Sequence, residues 1–169
     1  VAEAISDTDI RLSHIGGSQH IFLDGKDVTD FIRTGEVSMG ASAVAAIKQV
    51  RLKLVELQRK IAENNNCIMD GRDIGTFVLP NADIKIFLTA SAEKRAQRRY
   101  AELLEKGSDV SYDEVLADMI KRDKNDSERS FAPLKEAPDS IRVDTSDVDL
   151  DGSVKLIENI ILSRLGKKL

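Results

Sequence analysis

The sequence predicts an α/β protein built on a parallel sheet, with a small antiparallel unit ahead of it. Three observations point there. Past residue 62, apolar runs at Cys67–Met69, Ile84–Thr89 and Ser140–Thr145 alternate with segments of helical period. Strand–helix alternation of that kind means parallel strands joined by crossovers. Before it, Asp24-Gly25 separates two short extended runs and is the strongest hairpin signal in the chain. Between the two parts, Val44, Ile47, Leu54, Leu57 and Ile61 recur at three- and four-residue steps, the period of a helix with one buried face.

Taken in order, residues 1–36 read as extended. Ile10-Arg11-Leu12-Ser13 alternates, Gly16-Gly17-Ser18 is a turn signal, and His20-Ile21-Phe22-Leu23 leads into Asp24-Gly25. Lys26–Thr29 follows as a short strand or turn. Residues 41–62 form one helix on this reading. Arg51 lies on its apolar face, four after Ile47 and three before Leu54. Such an arginine either snorkels, with its stem packed and its head in water, or points into a cleft, and spacing does not choose between them.

Cys67-Ile68-Met69 reads as a buried strand that stops at Asp70-Gly71-Arg72-Asp73. Ligands of open parallel sheets bind beyond the carboxyl ends of strands. Asp70 there could order water on Mg²⁺, and Arg72 could grip phosphate oxygens in a fork. A tight turn with an exposed ion pair accounts for the same residues. Phe77-Val78-Leu79 is a short bridge ended by Pro80, and Ile84–Thr89 is the clearest strand. Ser91 is the expected N-cap of a helix reaching about Glu105. Arg95, Arg98 and Arg99 cluster on that helix, as either a solvated face or an anion-binding one. Ser111-Tyr112-Asp113-Glu114 is a capping box. Lys121–Arg129 holds no apolar residue and reads as a solvated face or loop. Ser140–Thr145 is the last strand, and Asp151–Leu165 the closing helix.

Composition narrows the classes. At 41% hydrophobic and 4% aromatic, without Trp, the core must be aliphatic. A net charge of -4 argues against a nucleic-acid polymer as partner, though not against a small anion held by local arginines. The single cysteine, Cys67, rules out an internal disulfide and suits a reducing compartment, with its apolar neighbours suggesting a buried thiol. No stretch is long and apolar enough to span a bilayer, and Val1–Asp7 lacks a signal-peptide pattern. The expected location is cytoplasmic, with no membrane partner.

These stretches together resemble the bacterial cytidylate kinases. The resemblance runs over nearly the whole chain. It is carried by Asp70–Thr76, by Ile84–Leu88 with its Arg-rich helix, and by Arg122-Asp123, Asp126-Ser127, Arg129 and Ala132-Pro133-Leu134. The Ile10–Arg33 region is similar to the insert that enlarges the monophosphate-binding domain in this family. The resemblance implies a phosphate-loop nucleoside monophosphate kinase fold. It divides the chain into the remainder of the monophosphate domain with its insert at 1–39, core α/β at 40–120, a lid at 121–134, and a core strand and helix at 135–169. The implied activity is phosphoryl transfer from ATP, with Mg²⁺, to CMP or dCMP, giving CDP or dCDP in pyrimidine metabolism.

Residue by residue, the resemblance implies that Ser42, Arg51 and Asp73 read the cytosine edge. Arg72 binds the monophosphate, Arg122 and Arg129 close over the phosphates, and Asp126 meets the ribose. Asp70 corresponds to the carboxylate near the metal, acting through water, and Arg98 to an ATP-side contact. One family feature is missing. No G-x-x-x-x-G-K-[ST] loop occurs in these residues, and Gly16-Gly17 is followed by no Lys-Ser or Lys-Thr. On this resemblance the chain begins inside the monophosphate domain, and the central strand and loop lie outside it. The expectation is a gap between the Met69 and Ile86 strands, closed by direct pairing, by another chain, or by residues outside this sequence. The 169 residues alone are expected to be inactive. A complete enzyme is expected to be a monomer, and the chain as given to self-associate. The rival readings are a non-catalytic nucleotide-binding remnant and another monophosphate kinase.

Overall fold

A computed structural model describes residues 8–45 and 47–166. The chain divides into two compact units, Val1–Ile68 and Met69–Leu169.

The first unit opens with an antiparallel meander of β1 (Ile10–Ile15), β2 (Ser18–Leu23) and β3 (Lys26–Asp27). Its register runs from Ile10 opposite Leu23 to Ile15 opposite Ser18. Both turns use left-handed backbone: Gly16 and Gly17 have φ of 59° and 83°, Asp24 and Gly25 of 49° and 80°. Two consecutive positive φ values match the twist of a two-residue hairpin, which is why glycine and aspartate stand there. The third strand is fastened by side chains. Asp27 Oδ1 accepts from the Thr29 hydroxyl at 2.6 Å and from its N–H at 3.0 Å, while Asp27 Oδ2 lies 2.7 Å from His20 Nδ1.

The expected single helix over 41–62 is instead two, α1 (Gly35–Ala45) and α2 (Lys48–Asn64). Ile47 between them is extended, with ψ of 114°. No glycine or proline marks this break, so sequence carried no stop signal. On α2 the deepest residues are Val50 and Val55, at 0% and 3% exposure, and the expected apolar positions flank them half-buried.

The second unit carries the parallel pair. β4 (Ile86–Thr89) and β5 (Ile141–Asp144) run side by side with Ile86 opposite Ile141 and Thr89 opposite Asp144. Helices α3 (Ala92–Glu105) and α4 (Tyr112–Glu128) form the crossover, and α5 (Leu150–Arg164) follows β5. The caps fall where hydrogen-bond chemistry puts them. Ser91 accepts from Lys94 N–H, Ser111 and Glu114 close a full capping box, and Asp149 accepts from Gly152 N–H. Lys85 ties the approaches to both strands together, its Nζ sitting 2.7 Å from Asp139 Oδ2. The buried aliphatics here are small: Val78, Ala90, Ala96, Val115, Ala137 and Val143.

One expectation is corrected and one alternative is decided. Cys67–Met69 forms no strand; residues 66–70 are irregular, Cys67 is exposed, and Ile68 is 93% exposed. A three-residue apolar run becomes a strand only by pairing and burial, and among the described residues β4 pairs with β5 and nothing else. Of the two readings of the charged run Lys121–Arg129, a solvated face or a loop, the structure takes the first, because α4 continues through it to Glu128 with most of these residues exposed. No helix among the described residues is long and apolar enough to cross a membrane.

The meander supplies a testable pH dependence. The Thr29 hydroxyl, then the Thr29 N–H and His20, hold Asp27 down to about 2 from an ordinary 3.8. A depressed carboxylate stabilises the fold fully above its unfolded value and loses that contribution as pH falls through its folded one. The β2–β3 register should therefore loosen between about pH 3.8 and 2, followed by the backbone chemical shifts of Phe22–Thr29. Asp27→Asn should remove this acid transition.

Candidate functional site

The site begins with a backbone irregularity. After Asp70-Gly71-Arg72-Asp73 the chain makes a single π-turn, Ile74–Val78. The Asp73 carbonyl accepts from both Phe77 N–H, at 2.8 Å, and Val78 N–H, at 3.1 Å. Wide turns of this kind are frequent at functional sites because they re-aim side chains. Here the turn buries Val78 completely and leaves the Asp73 side chain 2% exposed.

A buried carboxylate must be compensated. The compensation comes from beyond α4, where Arg129 Nη2 lies 3.6 Å from Asp73 Oδ1 with the arginine itself largely buried. One residue earlier the polarity is reversed: Arg72 Nε donates to Asp126 Oδ2 at 3.0 Å. The adjacent pair Arg72-Asp73 thus meets Asp126 and Arg129 in two crossed ion pairs. The segment after α4 folds back to support them. Leu134 N–H donates to the Asp126 carbonyl at 2.8 Å, Arg129 Nε donates to the Ala132 carbonyl, and Phe131 sets its ring edge-on to Phe77 at 5.1 Å. Ala132 takes left-handed backbone, φ 48°, just before Pro133, a conformation that non-glycine residues hold at some cost.

The remaining predicted residues are distributed as follows. Arg122 is exposed on α4, four residues before Asp126 and so on the same helical face. Asp70 is exposed in the irregular stretch. Arg98 reaches past the end of β5, donating to the carbonyls of Thr145 and, at 3.0 Å, Val148. Arg51 is half-buried on α2 in the other unit, and Ser42 is on α1 with its side chain outside the described residues. The structure therefore brings together Arg72, Asp73, Asp126 and Arg129, with Arg122 along the same helix.

Sequence reasoning missed the π-turn, the Phe77–Phe131 contact and the partner of Arg95. That arginine grips Asp123 with both terminal nitrogens, at 3.0 and 2.6 Å. The signal for the last was present, because Asp123 stands inside the Arg122–Arg129 motif.

Chemically, guanidinium groups backed by carboxylates suit a phosphorylated ligand with hydroxyls. Among the described residues no three His, Cys, Asp or Glu side chains gather as a metal cage. Mg²⁺ does not need one; it keeps several waters and takes one or two carboxylates together with substrate phosphates. The exposed Asp70 carboxylate fits that requirement.

The cytidylate kinase family profile matches residues 1–163. The chain belongs to that family. It is 51% identical over 151 residues to a cytidylate kinase of Caldicellulosiruptor bescii, covering 89% of this chain and 67% of that one. The cytidylate kinase of Caldicellulosiruptor saccharolyticus is 45% identical over 169 residues, all of this chain and 75% of the relative. That of Bacillus subtilis is 45% identical over 150 residues, 89% and 67% of the two chains. The family is one of nucleoside monophosphate kinases on the phosphate-loop α/β fold, of which β4, β5 and their helices are the parallel part seen here.

The crossed ion pairs differ in environment, which predicts unequal costs. Asp73→Ala strands a largely buried arginine and should lower the unfolding free energy by about 3 kcal/mol or more. Asp126→Ala frees an arginine that is 40% exposed and should cost no more than about 1 kcal/mol. Urea unfolding of the two variants checks the ordering.

Proposed function

We propose that the chain is the monophosphate-reading and lid-bearing part of a cytidylate kinase, which moves the terminal phosphoryl group of ATP to CMP or dCMP. The observation that carries this reading is the pair of crossed bridges joining Arg72-Asp73 to Asp126 and Arg129. It gathers phosphate-binding and hydroxyl-binding groups in one place. Family membership supports the reading, since the relatives are named for that reaction.

On this reading a phosphate oxygen of CMP attacks the terminal phosphorus of ATP. The bond to the bridging oxygen breaks, and ADP leaves with that electron pair. Catalysis is mostly positioning and charge neutralisation. Arg72 holds the acceptor phosphate, while Arg122 and Arg129 neutralise charge that develops on the transferring group and exclude water. Asp126 accepts from the ribose hydroxyls. Ser42, Arg51 and Asp73 read cytosine, and a base lacking their partners leaves buried polar groups unsatisfied. Arg98, at the carboxyl end of β5, contributes positive charge on the ATP side. Mg²⁺, bound with ATP, supplies further neutralisation of the phosphates, and Asp70 would hold its water. Residues 121–134 serve as the lid.

The residues given contain no G-x-x-x-x-G-K-[ST] loop, and that loop's backbone N–H groups and lysine cradle the donor phosphates. We therefore assign these residues CMP recognition without turnover by themselves. The edge of β4 that pairs with no strand among the described residues, and exposed Leu88, Val154 and Leu156, favour self-association of the chain as given.

Calorimetry should find CMP binding on the order of a hundredfold tighter than UMP or AMP, with no phosphoryl transfer from ATP until a phosphate-loop segment is restored. Arg72→Ala should weaken CMP about tenfold to a hundredfold and leave cytidine nearly unchanged. Turnover by the unaltered chain would refute the need for the loop, and equal binding of all three nucleotides would refute the cytosine reading.

A further inference from the structure

Lys121–Ser130 contains no apolar residue. The last two turns of α4 therefore have no hydrophobic face with which to dock, although they carry Arg122 and Asp126 and lead into Arg129. The first half of α4 is seated differently. Val115 is buried, and Tyr112 meets Tyr100 of α3 edge-on at 6.1 Å.

Among the described residues two side-chain ion pairs hold the second half, beside the backbone bond from Leu134 N–H to the Asp126 carbonyl. One is Arg72–Asp126. The other is Arg95, whose Nη1 and Nη2 donate to Asp123 Oδ1 and Oδ2 at 3.0 and 2.6 Å, a fork-on-fork pair that fixes orientation as well as distance. Arg95 is itself anchored, since its Nε donates to the carbonyl of buried Ala90 at 2.9 Å, just past β4. The guanidinium thus joins the end of the sheet to α4. Within α4, the Ser127 hydroxyl donates to the Asp123 carbonyl at 2.8 Å, carrying the constraint one turn further.

We infer that Arg95 and Asp123 are a positioning pair for the lid: they hold the apolar-free end of α4 on α3 so that Arg122, Asp126 and Arg129 keep their places when substrate phosphate takes Arg72. The inference rests on the cytidylate-site reading. If Arg72 turns to a phosphate, it gives up Asp126, and one of the two ion pairs is lost at the moment when α4 must stay in place. Arg95–Asp123 faces α3 rather than the ligand and survives that exchange. Neither residue touches substrate in this scheme. Their effect should fall on phosphate affinity and not on base recognition.

The test compares Asp123→Asn, Asp123→Glu, and the reversed pair Arg95→Asp with Asp123→Arg, all in the full chain. In Asp123→Asn, amide exchange over residues 122–128 should accelerate on the order of tenfold, while α3 is unchanged. CMP should bind about tenfold more weakly and cytidine within about twofold of the parent. The reversed pair should restore most of the CMP-to-cytidine ratio, and Asp123→Glu part of it. Unchanged exchange together with unchanged CMP affinity overturns the proposal, as does an equal loss for CMP and cytidine accompanied by a lower melting temperature. If the unaltered chain binds no CMP while Asp123→Asn still accelerates exchange, the cytidylate reading fails, and the pair keeps only its mechanical role.

Discussion

Asp73 is a carboxylate almost wholly withdrawn from water, and much of the second unit can be read as what that withdrawal requires. A buried charge without a partner is among the costliest features a fold can carry. Here it recruits Arg129 from more than fifty residues away. Holding Arg129 in place takes a helix that ends on time, a carbonyl from Ala132 and a ring contact from Phe131 to Phe77. The π-turn that buries Asp73 also makes Val78 the largest fully buried side chain among the described residues of that unit. Site and core are therefore coupled through one turn, and polar residues at the site bear on folding as well as on ligands.

That coupling explains which features were legible in the sequence. Local chemistry was readable wherever a residue type has one cheap solution. Asp24-Gly25 takes two positive φ values, Ser91 and Ser111 cap helices, and Glu114 closes the capping box. That Ile86–Thr89 and Ile141–Asp144 run parallel followed from alternation of strand and helix, though not that they are neighbours. Non-local choices were less readable. Cys67–Met69 has the composition of a strand, but a strand is a relation between segments, and those residues have no strand partner among the described ones. The break at Ile47 has no breaker residue.

Lys121–Arg129 reads in sequence as a solvated face or a loop, because charge without apolar residues usually means solvent. It is helical because its charges are paired across the chain rather than along it, Asp123 with Arg95 and Asp126 with Arg72. Sequence separations of 28 and 54 residues leave no local trace. What identified the site before any coordinates was the joint motif of Asp70–Thr76 and Arg122–Arg129. What no motif supplied was the pairing scheme inside it, in particular that Arg72-Asp73 crosses with Asp126 and Arg129.

The crossing has an energetic consequence for the proposed function. An arginine waiting free in solvent would yield its full attraction to an incoming phosphate, less desolvation. Arg72 instead already holds a carboxylate, so phosphate binding there exchanges one charge-assisted bond for another. The net gain is the difference between a dianionic and a monoanionic partner, at a group that is 40% exposed and screened accordingly. Such a difference is small beside a full ion pair, which favours loose, reversible holding over tight capture. The displaced carboxylate offsets part of the loss by becoming an acceptor for a hydroxyl. A nucleotide presents both a phosphate and vicinal hydroxyls, and so can satisfy both members of the broken pair. Inorganic phosphate can satisfy only one. On this argument discrimination in favour of a nucleoside monophosphate begins with Arg72 and Asp126, before any atom of the base is read.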